Sequence, residues 1–220
     1  FASFCGVKNA IACASGTDAL RLALMAAGVK PGDAVFTVPH TFIATVEAIT
    51  MVGATPIFID IDAATYHISP AKLSEYLESQ CSLGPDGHWI DGRTGKRITA
   101  LLPVHLYGLM VDMKPLLELG QKYNFKVLED AAQAHGATYR MDGKTYRAGS
   151  FGFTSGFSFY PAKNLGALGE GGAIITNDDN AAQFMRMLRD HGSSQKYVHQ
   201  SADGWNSRLD TLQCAFLDIK

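Results

Sequence analysis

Short β-rich runs alternate with helical stretches along almost the whole chain, an alternation that implies a mainly parallel sheet covered by helices. Strands are expected over Ala34–Val38, Thr55–Ile61, Ile98–Val104, Phe125–Glu129, Gly152–Phe159 and Gly172–Thr176. Helices are expected over Asp18–Ala27, Phe42–Met51, Pro70–Glu78, Met113–Tyr123 and Ala181–Asp190. Gly28 is placed to stop the first helix, and Pro31-Gly32-Asp33 reads as the turn before the first of these strands. Residues 80–97 break the pattern. There Gly84-Pro85-Asp86-Gly87 and Asp91-Gly92-Arg93-Thr94-Gly95 flank His88-Trp89-Ile90, the mark of a long surface loop or a small hairpin at the domain edge.

A chain of 220 residues can bury a substantial core as one large domain. Its formal net charge of −2 gives no reason to expect nucleic acid or an anionic membrane as a partner. An anion site here must therefore be local, built from backbone amides and a few side chains. Cys5, Cys13, Cys81 and Cys214 are scattered with no C-x-x-C pair, which fits neither a zinc site nor a disulfide scaffold. Buried, reduced thiols are the expectation, and with them a cytoplasmic setting. No apolar run approaches the roughly 20 residues of a membrane-spanning helix, and no charged-then-apolar leader opens the chain. The chain begins at Phe1, as if inside an element, and ends in Phe216-Leu217-Asp218-Ile219-Lys220, which reads as helix. A fragment of a longer protein is expected from such ends.

Ser15-Gly16-Thr17-Asp18 stands where a loop becomes a helix. Glycine lets an anion approach the backbone, and the first amides of a helix have no internal partners, so this is a candidate phosphate seat. The competing reading is a helix cap made by Ser15 or Thr17. Ser158, in an otherwise aromatic strand, can offer a hydroxyl to the same phosphate or simply bond locally.

Asp130 ends the apolar run Val127-Leu128-Glu129-Asp130, at the strand end where open α/β sheets place ligand-contacting residues. Alternatively it caps a helix over 131–135, and both roles can coexist. Lys163 follows the aromatic run Phe157-Ser158-Phe159-Tyr160 and precedes the glycine-rich stretch 164–172. A lysine able to form an imine and a carboxylate able to face a pyridinium nitrogen are the two fixed partners that pyridoxal phosphate needs. The plain alternative for Lys163 is a solvated surface amine. Phe42 is a candidate to stack on the ring or a core aromatic, and Gln133 a candidate ring contact or an ordinary helix residue. The glycines of 166–172 do not form G-x-G-x-x-G after a first strand, which argues against a dinucleotide site.

In order along the chain come Ser15-Gly16-Thr17-Asp18-Ala19-Leu20, Pro39-His40-Thr41-Phe42, Asp60-Ile61-Asp62, Pro103-Val104-His105-Leu106-Tyr107-Gly108 and Glu129-Asp130-Ala131-Ala132-Gln133-Ala134-His135-Gly136. The lysine segment and Gly204-Trp205-Asn206-Ser207-Arg208-Leu209-Asp210 complete the set. In these stretches the chain resembles the large domain of DegT/DnrJ-type sugar-nucleotide aminotransferases. The resemblance implies a three-layer α/β/α fold with a mainly parallel sheet, the large domain of fold-type-I pyridoxal-phosphate enzymes, over residues 1–220. It also implies an N-terminal segment and a small C-terminal domain beyond this chain.

By that resemblance Lys163 would carry the cofactor as a Schiff base and shuttle the proton. Asp130 would pair with the pyridine nitrogen, Phe42 would stack on the ring, and Gln133 would touch its hydroxyl side. Gly16 belongs to the phosphate seat, Thr17 and Asp18 would hold the phosphate by backbone amides, and Ser158 would add its hydroxyl. Asn206 would reach the cofactor phosphate of a neighbouring subunit in a homodimer. The implied substrates are an amino-acid donor, glutamate or glutamine, and a nucleotide-linked keto-deoxysugar, with a lean toward a 3-keto sugar. No metal is implied, and Lys163 speaks against the dehydratase branch, which carries histidine there. A lyase or aldolase on the same fold, and a silent cofactor-binding fragment, are the other readings.

Overall fold

The computed structural model describes residues 1–220. One sheet takes its strands in the order Asn9–Cys13, Gly172–Thr176, Ser155–Ser158, Glu129–Asp130. The other runs Thr55–Phe58, Ala34–Thr37, Ile98–Leu101, Lys126–Val127. Lys126–Val127 and Glu129–Asp130 are two halves of one run that joins the sheets. On one side Leu128 and Asp130 donate their amides to the carbonyls of Leu101 and Pro103 at 2.8 and 3.0 Å. On the other, Val127 and Gly156 accept from Phe153 and Ala131 at 2.8 and 2.9 Å. The pairings are parallel throughout except at Gly172–Thr176, which runs antiparallel to both neighbours.

Alternation along the strands divides the core in two. Val35, Ala100, Leu102, Leu128 and Ile174 face one side and pack with Leu20, Leu24, Ala48, Ile49, Ala182 and Met185. Those partners come from helices Gly16–Ala26, Ile43–Met51 and Asp179–Leu188. Phe36, Ile57, Leu101 and Val127 face the other side, against Leu73, Leu77, Met113 and Leu116 of helices Pro70–Gln80 and Met113–Lys122. Each buried Val, Leu, Ile, Phe or Met among them contributes about 1.5–3 kcal/mol, and the period of two is what makes a single sheet serve two helical layers.

Every expected strand and helix is present, with ends that shift by a few residues; Gly152–Phe159, for example, is paired only over Ser155–Ser158. The segment 80–97 is a hairpin, Cys81–Leu83 against Trp89–Asp91. Three features differ from the sequence reading. Asn9–Cys13 is a strand that was not expected, since Asn and Ala are poor strand formers and its pairing with Gly172–Thr176 supplies the order. Thr138–Met141 and Lys144–Arg147 form a second unexpected hairpin, turned through Asp142 and Gly143 at φ +49° and +78°. Residues 131–135 form turns rather than a helix. The Ala131 amide is drawn to Gly156, and Asp130 Oδ1 accepts from the Ala132 amide at 3.1 Å, which fixes a side-chain turn in place of the first helical turn. The four thiols are free; Cys5 and Cys13 are buried as expected, whereas Cys214 is exposed. No helix is long and apolar enough to cross a membrane.

Candidate active site

A cavity of about 740 Å³ opens along the carboxyl ends of the central strands. It brings together Gly16, Thr17, Phe42, Asp130, Gln133, Ser158 and Lys163, seven of the nine residues singled out from the sequence.

The floor is the start of helix Gly16–Ala26. Ser15 Oγ caps it by accepting from the Asp18 amide at 3.1 Å, leaving Gly16 and Thr17 at the first two helical positions, whose N–H groups have no intrahelical acceptors. Gly16 is required by close approach: a Cβ there would lie 2.6 Å from Ser158 Cβ. The missing side chain lets strand Ser155–Ser158 bring its hydroxyl to the helix N-terminus, where the dipole favours an anion. The cap and the phosphate seat are thus compatible readings of one motif, with Ser15 doing the first and Gly16-Thr17 available for the second.

Asp18 stands apart from these seven. Its amide is committed to Ser15, and its side chain lies outside the cavity lining. Oδ1 accepts from Trp205 Nε1 at 3.2 Å and Oδ2 from Ser207 Oγ at 2.6 Å. In this structure the Asp18 amide is directed to Ser15 Oγ and not into the cavity. Asn206 is also outside the lining and is exposed.

Asp130 is buried at the strand end, with Oδ2 accepting from Thr45 Oγ1 at 2.7 Å. Burial pushes its pKa above the usual carboxylate range, opposed by the Thr45 and Ala132 donors and by the nearby His105 and Lys163. A cation placed against it would be held by a carboxylate whose geometry is already fixed. Lys163 is half-buried in the same cavity lining, in a loop closed at its base by the Phe159 amide on Gly171 O and the Ala167 amide on Phe159 O, both 2.8 Å. No side-chain hydrogen bond restrains its amine.

Phe42, the N-cap residue of helix Ile43–Met51, is 67 % exposed despite its size, so it is no core aromatic; its ring stands at the cavity. Gln133 Oε1 accepts the Tyr107 amide at 2.8 Å, which turns the Nε2 donor away from that contact. Tyr107 holds a left-handed backbone, φ +56°, and lines the cavity with an exposed ring.

Beneath the site the sequence reading missed a buried pair. His105 Nδ1 accepts from the Val111 amide at 3.2 Å, so the ring proton is on Nε2 and is donated to Glu129 Oε2 at 2.8 Å. Glu129 also accepts from the amides of Gly149, Phe151 and Gly152 and from Ser155 Oγ, at 2.6–3.0 Å. Burial alone would raise its pKa, yet these donors hold it below the ordinary value. The pair ties the strand carrying Asp130 to the segment after Pro103, whose His105 amide bonds Asp130 O at 3.0 Å. Thr45 was also missed; it sits four residues after Thr41, whose hydroxyl it meets at 2.8 Å, a helical spacing that could have flagged it.

The DegT/DnrJ/EryC1/StrS aminotransferase family matches residues 1–220. The chain is 46 % identical over 220 residues to dTDP-3-amino-3,6-dideoxy-alpha-D-galactopyranose transaminase of Aneurinibacillus thermoaerophilus, covering 100 % of this chain and 54 % of that protein. It is 43 % identical over 219 residues to a protein of Geobacillus stearothermophilus named pleiotropic regulatory protein, covering 100 % of this chain and 53 % of the other. Among solved structures, NtdA of Bacillus subtilis with bound cofactor PMP superposes with a TM-score of 0.82 at 32 % identity, over 98 % of this chain and 44 % of that one. The chain spans about half the length of the curated relatives it matches. The fold is the expected three-layer α/β/α large domain of fold-type-I enzymes. The chain is a member of the DegT/DnrJ/EryC1/StrS aminotransferase family.

Proposed function

We propose that these residues are the pyridoxal-phosphate-binding large domain of a longer sugar-nucleotide aminotransferase that works as a homodimer. The observation that carries the reading is that Lys163 and Asp130 line one cavity with Gly16 and Thr17, whose amides have no intrahelical acceptors. The fit to the cofactor rests on the donor set. A dianionic phosphate suits the helix N-terminus that Gly16 opens to Ser158, and a protonated ring nitrogen suits the buried Asp130 carboxylate. When bound, pyridoxal phosphate supplies the electron sink that labilises a proton on the amino-bearing carbon.

The chain's own residues supply the rest. Lys163 Nζ would hold the cofactor, and its amine would carry the proton on and off that carbon. Asp130, held by Thr45 and Ala132, keeps the ring nitrogen protonated. Phe42 and Gln133 fix the ring's face and hydroxyl side, and Asn206 reaches the partner subunit's phosphate. The donor, glutamate or glutamine, gives up its amine, takes an oxygen from a water molecule and leaves as a 2-oxo acid. Its amine replaces the oxygen of a keto group on a nucleotide-linked deoxysugar, and that oxygen leaves as water. The name of the Aneurinibacillus relative supports position 3 for that group.

The test is spectroscopic. The protein with cofactor should show the visible band of the lysine-bound form, lost in Lys163→Ala, and glutamate or glutamine alone should bleach it with release of 2-oxo acid. A band that persists in Lys163→Ala rejects the assignment of that residue. A band unchanged by either donor rejects transamination from them and leaves a lyase, an aldolase or a silent cofactor-binding domain.

A further inference from the structure

The segment that carries Asn206 is extended along the loop after helix Asp179–Leu188. The amides of Trp205 and Ser207 donate to Leu188 O and Arg189 O at 3.0 and 2.8 Å, and Trp205 O accepts from His191 at 3.0 Å. In an extended chain successive side chains point to opposite faces. Trp205 and Ser207 both turn inward, and both end on one carboxylate, that of Asp18. Ser207 is fully buried, its hydroxyl also receives the Ala14 amide at 3.4 Å, and Arg21 lies 3.9 Å over the Trp205 ring. Asn206, between them, must face outward, and it is exposed. It cannot bend back to the Gly16–Thr17 floor of its own protomer without breaking both bonds to Asp18.

We propose that Asp18 is a positioning residue that acts across the dimer: it latches the 204–207 segment to the helix that floors its own cavity, and so aims Asn206 at the cofactor phosphate of the partner subunit. The inference rests on the shared-site reading above and goes beyond it. A residue one position after the Gly16–Thr17 amides would serve the other subunit's site, and one helix N-terminus would be common to both. Asp18 touches no cofactor; its effect passes through Trp205 and Ser207.

Mixed dimers separate the two possibilities. One protomer carries Lys163→Ala, so the only imine-forming site belongs to the other, and cofactor affinity is read from its visible band. On the Lys163→Ala protomer, Asn206→Ala should weaken that site about tenfold, as loss of a charge-assisted hydrogen bond does. Asp18→Asn and Ser207→Ala on the same protomer should weaken it about three- to tenfold, and by less than twofold when moved to the protomer that keeps Lys163. Ser207→Ala removes the hydroxyl that bonds Asp18 and the Ala14 amide but keeps the carboxylate, so it covers the case in which Asp18→Asn misfolds. Weakening that follows the Lys163-bearing protomer instead would overturn the latch and return Asp18 to its own phosphate. If Asn206→Ala weakens binding across the dimer while Asp18→Asn and Ser207→Ala do not, the latch fails and the shared site stands. If Asn206→Ala has no effect across the dimer, both fail.

Discussion

Thr45 and Asp130 are 85 residues apart in sequence and 2.7 Å apart in space, and the threonine hydroxyl is the only side-chain donor to the carboxylate. Thr41 stands behind it, within 2.8 Å of the same hydroxyl. Because Thr45 gives its proton to Asp130, Thr41 must give its own to Thr45, so the carboxylate ends a two-hydroxyl relay. Replacing Thr45 with valine keeps the volume and removes the donor. The Asp130 pKa, already raised by burial, should then climb by about one further pH unit. A carboxyl carbon NMR titration of the cofactor-free protein measures this, and an unmoved midpoint would contradict the relay.

Gly16→Ala should act at the cavity without touching the lysine. Its Cβ would meet Ser158 Cβ at 2.6 Å, against backbone-anchored atoms that cannot swing away. Strain of about 1–3 kcal/mol is expected, with a loss of phosphate affinity of tenfold or more. Inorganic phosphate competition against cofactor binding reports the second effect separately from the first.

Glu129→Gln removes a fully buried charge that satisfies five donors and leaves several unmatched. A cost of about 3–5 kcal/mol follows, measurable by urea unfolding. The acid side has a definite sign. Glu129 has its folded pKa depressed, so its contribution is present above the unfolded carboxylate pKa and is lost as the pH falls through the folded value. The variant should lose that part of the acid sensitivity.

His135 works in the same direction by the opposite route. Both ring nitrogens are buried without a partner among Phe1, Phe157 and Phe159, and burial, aided by Lys163, lowers its pKa to about 4. Between that value and the ordinary 6.5 the unfolded chain binds a proton that the folded one refuses, so stability falls as the pH drops through this window. The full difference amounts to about 3 kcal/mol. His135→Phe should flatten the stability profile between about pH 6.5 and 4, and an unchanged profile would place the acid sensitivity elsewhere.

That Lys163 and Asp130 would meet at one cavity was legible because each ends or follows an apolar run in a chain whose β/α alternation fixes where strand ends gather. The failures have equally local causes. Ser15-Gly16-Thr17-Asp18 encodes a cap and an anion seat with the same residues, and only the structure shows that the Asp18 amide goes to the cap. Ala131–His135 carries helix-forming alanines, but the Ala131 amide is taken by a strand partner before a helix can claim it. Asn9–Cys13 has no strand signature of its own, since its order comes from pairing with residues more than a hundred positions away. The His105–Glu129 pair joins a strand to the segment after Pro103, and a single sequence does not state that the two are adjacent.

That distant pairing has a consequence for the order in which the protein is made. The parallel strands Ala34–Thr37, Thr55–Phe58, Ile98–Leu101 and Lys126–Val127 can assemble as soon as they leave the ribosome, each meeting a neighbour already synthesised. Asn9–Cys13 emerges first yet must wait for Gly172–Thr176, because its place in the sheet lies beside a strand not yet translated. The helix that begins at Gly16 is tethered to that waiting strand by the two residues Ala14-Ser15. The anion seat is therefore among the last parts of the domain to close, and a nascent chain stopped before Gly172 has its carboxylate wall and the residues that close its lysine loop, but not its floor in place.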